Sequence, residues 1–130
     1  MTAEDYQVSA RAYGPVTVIS CRAERYPSAA LEPVRAVAEQ HAPQGQPAII
    51  VFDLSEVIFI STAILRVLAI VHSRVGPAGG KVCTAGGGEM VRSVLGIAKL
   101  PFLTEYDTLS GALAALSPEA SSIYASEEGT

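Results

Sequence analysis

The stretch "VFDLSEVIFISTAILRVL", Val51–Leu68, decides how the chain is read. It opens on an apolar run bounded by turn residues, "AIIVFDL" over Ala48–Leu54. A short β-branched run of this kind reads as a strand buried on both faces. It then turns at Ser55 and Glu56, runs apolar again, and meets two adjacent hydroxyls, Ser61 and Thr62. Behind them "STAILRVLAIVHSRV" repeats apolar residues at helical spacing until "GPAGG" stops it. A strand, a turn, a hydroxyl pair and a helix therefore stand in the middle of the chain.

Working outward, "VTVISC" after Gly14-Pro15 alternates as a strand. A weaker strand around Tyr6–Ala12 can pair with it as a hairpin. "SAALEPVRAVAEQHA" has helical spacing, with Ser28 as candidate cap and Pro33 near the helix start. "KVCTA" is a strand, and "GGGEMVRSVLGIAKL" is a loop followed by a helix from Glu89. "PFLTEY" is a last strand, and "DTLSGALAAL" is a helix capped by Asp107 or Thr108. The order is ββαβαβαβα. Alternation at these spacings predicts an α/β fold with a mostly parallel central sheet, an N-terminal hairpin strand and about four helices. One domain is expected over residues 1–116. The polar, acidic 117–130 segment, "SPEASSIYASEEGT", is expected to be a disordered tail.

The 130 residues carry a formal net charge of −4, and the nine Lys and Arg are scattered. Nucleic-acid binders carry a basic patch, so nucleic acid is not expected as a partner. No apolar run reaches the roughly 18 residues that span a bilayer. The N-terminus has no signal-peptide pattern. No membrane association is expected, and the reading is a cytoplasmic protein. Cys21 and Cys83 lie in apolar strands and read as buried thiols; a bridge between them is the alternative.

Little points to an enzyme. Gly86-Gly87-Gly88 lacks the Lys and Ser/Thr of a phosphate-binding loop. Asp53 and Glu56 read as turn acids without a partnering base. His41 and His72 are far apart in sequence with no accompanying ligand pattern, so neither a metal nor a cofactor is expected. No nucleophile has a visible base. A small nucleotide-binding or catalytic α/β domain is the rival class, with nothing in the motifs to support it.

The hydroxyl pair has two readings. One hydroxyl can cap the helix by accepting from a free amide of its first turn, worth about 1 kcal/mol. The second is then free to be a phosphorylation site, where a doubly charged group arrives at an uncharged spot. With Ala63 at zero and about 100° per residue, Ile64, Leu68, Val71 and Val75 form the core face. Arg66 and Ser73 lie nearly opposite, while Ala63, Val67 and Ile70 fall toward Arg66 and Arg74. That flank is either covered by a neighbouring helix or exposed as an apolar strip for a protein partner.

The run also resembles the STAS domain, the fold of the bacterial anti-sigma-factor antagonists. The family's hallmark is a strand ending D-L-S-x-V-x-F, then I/M-D-S-S/T-G, then an amphipathic helix. Here "DLSEVIF" matches at Asp53, Leu54, Ser55, Val57 and Phe59. The later "DTLSGALAAL" fits the family's closing x-T-L-x-x-A-L, and the resemblance covers roughly Tyr6–Leu116. It implies an antagonist that binds a serine/threonine-kinase anti-sigma factor, is switched off by phosphorylation and is reset by a phosphatase, so regulating transcription. By this likeness Thr62 takes the phosphorylated position and Ser61 the one before it. The surface expected to meet the partner is Ser61, Thr62, Ala63, Arg66, Val67 and Ile70. The chain departs from the motif at Ile60, where the family has its acid, and at Ala63, where it has glycine. "CRAERY" stands where the family often shows G-x-L-D. An unphosphorylated scaffold or sensor module in a signalling complex is the alternative. The oligomeric state is left open.

Overall fold

Residues 2–128 are described in a computed structural model of the chain. Five strands form the main sheet: β1 (Val8–Tyr13), β2 (Val16–Cys21), β4 (Ile49–Asp53), β6 (Lys81–Ala85) and β7 (Thr104–Tyr106), in that spatial order. The β1–β2 pair is an antiparallel hairpin, and the other three pairings are parallel. Between these run β3 (Arg25–Tyr26) and β5 (Phe59–Ile60), which pair with each other as a separate parallel ribbon. The helices are α1 (Leu31–Gln40), α2 (Thr62–Val75), α3 (Glu89–Ala98), α4 (Leu109–Leu116) and α5 (Pro118–Glu128).

Both faces of the sheet are buried, which is why β4 reads as an unbroken apolar run. Alternate residues go to opposite sides. Ile19, Ile50, Phe52 and Val82 pack with Val34, Ala38, Ile64, Leu68 and Val71 under α1 and α2. Val16, Val18, Val51 and Cys83 face the other way, onto Ala112, Leu113 and Ala120 of α4 and α5. The core face expected for α2 is the buried one: Ile64, Leu68, Val71 and Val75 are each fully covered.

One local expectation changes and two are settled. Ser28 does not cap α1; it lies in a single 3₁₀ turn, Ser28–Ala30, and α1 starts at Leu31 after Ala30 without a side-chain cap. Pro33 is then the third helical residue, still within the first turn, where amides have no intrahelical acceptor to lose. Of the two candidates for capping α4, Thr108 does so, its Oγ1 accepting from the Gly111 amide at 3.0 Å.

The segment after Leu116, expected as a disordered tail, forms the fifth helix. Ser117 Oγ accepts from the Ala120 amide at 3.2 Å, and Pro118 occupies the first helical position, where its missing N–H costs nothing. Ala120, Ile123 and Tyr124 then fall on one side and join the second core cluster. Tyr124 meets Tyr13 edge to face at 5.6 Å, and Glu127 pairs with Arg11 on β1. Residues 129–130 of the expected tail lie outside the described residues.

Candidate functional site

The start of α2 is built by its backbone neighbours. The "CRAERY" stretch and the β5 loop are laced together. The Ile58 and Phe59 amides donate to the Glu24 carbonyl at 2.8 and 3.0 Å, and the Ser61 amide donates to the Tyr26 carbonyl at 3.0 Å. Beneath them the Tyr26 hydroxyl donates to the Tyr6 carbonyl at 2.6 Å and accepts from the Ala23 amide at 3.1 Å. The turn between β4 and β5 is closed by Asp53, whose Oδ1 accepts from the Ser55 amide at 3.1 Å and from the Ser55 hydroxyl. Gly86, at φ +75°, lets the β6–α3 turn press on this one; a Cβ there would lie 2.9 Å from Ser55 Cβ. Asp53 is thus the turn acid the sequence suggested.

The two hydroxyls divide their work. Ser61 is extended, half-buried, and its Oγ accepts from the Ala63 amide at 3.2 Å, so Ser61 is the cap. Thr62 is the first residue of α2, exposed, and its side chain makes no hydrogen bond among the described residues. Arg66 is exposed one helical turn further on, on the same face as Thr62, and has no ion pair among the described residues.

The flank of α2 is not the open apolar strip. Ala63 and Val67 are buried, 4% and 0% exposed, and Ile70 is half-buried. α1 packs along this side, with Val34 and Ala38 in the same core cluster as Val67. Of the six residues expected at the surface, only Thr62 and Arg66 are fully exposed. Ile60 is also buried, so the two positions that depart from the family motif both carry apolar side chains beneath the surface. The exposed apolar groups lie elsewhere. Ile58 and Phe59 stand just before the hydroxyls, with the Arg25 guanidinium over the Phe59 ring at 6.0 Å. Met90 and Ile97 are exposed on α3. The uninterrupted "VIFI" run concealed the first two, because nothing in it distinguishes the outward residues from the inward ones.

Both cysteines are free and buried. Burial, and then the charge of Asp53, pushes the Cys21 thiol up to about 12; burial pushes Cys83 up to about 11 while Lys81 pulls it back. Among the described residues no three His, Cys, Asp or Glu side chains are grouped to hold a metal, and no helix is long and apolar enough to cross a membrane.

Comparison with known proteins gives a family and a fold. The family model for the STAS domain matches residues 7–112. A search of curated proteins gives no match. Among solved structures, an anti-sigma factor antagonist from Mycobacterium paratuberculosis superposes with a TM-score of 0.73 at 22% identity, covering 84% of this chain and 92% of that one. An anti-sigma-factor antagonist (STAS) domain protein from Planctomyces limnophilus gives 0.68 at 20% identity, covering 85% and 97%. The Bacillus cell fate determinant SpoIIAA in its phosphorylated form gives 0.65 at 16% identity, covering 85% and 99%. At these identities the structures establish a shared fold, and the family match spans most of the chain: the protein belongs to the STAS domain family.

Proposed function

We propose that the protein is an anti-sigma-factor antagonist. It binds an anti-sigma factor of the serine/threonine-kinase type through the start of α2 and the adjoining Ile58–Phe59 loop, in the cytoplasm, and regulates transcription without being an enzyme. Phosphorylation of Thr62 by that partner ends the complex, and a phosphatase restores it. The observation that carries this reading is the contrast within the hydroxyl pair: Ser61 is occupied as a cap, and Thr62 is exposed and unbonded.

The chemistry supports a switch there. A phosphate adds roughly −1.5 to −2 charge where the free protein presents a neutral hydroxyl. The dipole at the start of α2 stabilises such an anion by about 0.3–1 kcal/mol, and Arg66 lies one turn away to pair with it. A partner seated on Ile58 and Phe59 would have to desolvate the phosphate, which opposes binding. The test is binding of the cognate anti-sigma factor to the Thr62 variants, with peptide mass spectrometry after incubation with that partner and ATP. Thr62→Ala is expected to bind and stay bound, and Thr62→Glu to bind at least about tenfold more weakly. Wild-type affinity in Thr62→Glu would overturn the switch.

A second reading is favoured by the apolar, buried Ile60 and Ala63, which leave no acid beside Thr62. In it the same face holds a partner in a signalling complex and is never phosphorylated. Binding that persists while Thr62 accepts no phosphate selects this reading.

A further inference from the structure

We propose that the notch beside β7 is a binding site for a small organic carboxylate with a compact aromatic body. β6 is paired with β4 along its whole length, from Lys81 to Ala85, but β7 reaches only Cys83, Thr84 and Ala85. Lys81 and Val82 therefore have no strand neighbour on that edge. The chain entering β7 leaves the edge open and stacks the Phe102 ring on the His72 imidazole of α2, with centroids 4.2 Å apart and planes within 6°. The result is a cavity of about 300 Å³, lined by Lys81, Cys83, Thr104 and Tyr106 as well as the stacked pair. This is the lower end of the size range of small-molecule pockets.

The lining has the makings of a site for an anion. Among the described residues Lys81 makes no ion pair, and the side chains of His72, Thr104 and Tyr106 make no hydrogen bond. Lys81 and Thr104 are exposed and His72 and Tyr106 half-buried, so their polar groups stay open to solvent and are available to a ligand that enters the notch. No Asp or Glu lines the cavity, although the whole chain is acidic. The charge of Lys81 is felt inside it, since it opposes the upward push of burial on the Cys83 thiol. One ammonium and two hydroxyls suit a carboxylate. Lysine can hold a phosphate as a point charge, but the bidentate grip of an arginine fork is missing, since no arginine lines this cavity. Phe102 and His72 bring aromatic surface to the lining, against which a ring can pack.

His72 is ten residues beyond Thr62 on α2, about 15 Å along the helix axis at 1.5 Å per residue. The site is therefore separate from the proposed switch and stands or falls without it.

The test is a titration of uniformly ¹⁵N-labelled protein followed by amide shifts. The probes are benzoate, its neutral and cationic counterparts benzamide and benzylamine, and inorganic phosphate. Benzoate is expected to move the amides of residues 80–83 and 104–106 saturably, and to bind roughly tenfold tighter than benzamide, the effect of one charge-assisted contact. Lys81→Met, at an exposed position, is expected to remove that advantage while benzamide binding stays the same. Thr104→Val should weaken benzoate as well. Shifts that are scattered or absent with benzoate would overturn the proposal, as would benzylamine binding equally well. Phosphate matching benzoate on the same amides would overturn the aromatic part.

Discussion

The Tyr26 side chain reaches back across twenty residues to the Tyr6 carbonyl, its hydroxyl donating at 2.6 Å from a ring that is wholly buried. This contact ties the segment before β1 to the ribbon that carries the start of α2. Tyr26→Phe keeps the ring and deletes the oxygen, leaving the Tyr6 carbonyl and the Ala23 amide without this partner. The expected loss is about 1–3 kcal/mol. Urea unfolding followed by circular dichroism checks it, with a lower midpoint and an unchanged slope.

The hydroxyl pair should separate by stability as well as by function. Ser61→Ala removes the cap of α2 and is expected to cost about 1 kcal/mol. Thr62→Ala removes an exposed, unbonded hydroxyl and should stay within about 0.5 kcal/mol of wild type. The two midpoints, measured side by side, check the assignment. The reverse order would make Thr62 the cap.

The buried thiols predict a stability that falls in alkali. Their ordinary value is 9.0, and the folded protein raises Cys21 to about 12 and Cys83 to about 11. Below pH 9 both states keep these protons and stability is unaffected by them. Above pH 9 the unfolded chain loses protons first, so stability declines as pH rises toward 11–12. Urea midpoints at pH 8 and pH 10 should show the drop. A thiol reagent at pH 8 should label the folded protein slowly and the urea-unfolded chain quickly.

Two glycines should respond to alanine in opposite directions. A Cβ on Gly80 would lie 2.5 Å from the Ala48 carbonyl oxygen and 2.8 Å from Val75, against backbone that cannot easily yield. Gly80→Ala is expected to cost about 1–3 kcal/mol. Gly96 is exposed within α3 with nothing inside 4 Å of the added carbon. Gly96→Ala should gain about 0.5–1 kcal/mol through helix propensity. Thermal unfolding of the two variants checks both signs.

What the sequence displayed depended on how many residues repeat a pattern. β4 and the core face of α2 were legible because each repeats its period over several residues. β3 and β5 were not, because two residues cannot alternate. The cover over Ala63 and Val67 was hidden because α1 comes from some thirty residues earlier, and a helical projection of α2 contains no neighbour. α5 was hidden by its polar composition; three apolar residues on one side suffice once β1 lies beneath them. "PFLTEY" reads as a strand of six, yet only Thr104–Tyr106 pairs. The cavity exists because of that missing half, and so had no signature of its own.

The order of the main sheet follows the order of the chain: after the hairpin, each later strand is added outside the one before it, from β2 to β4 to β6 to β7. No strand has to insert between two already paired. A chain emerging from the ribosome can therefore zip its sheet in one direction, each new strand closing the edge that the previous one left open, while the β1 edge waits for α5, the last helix made.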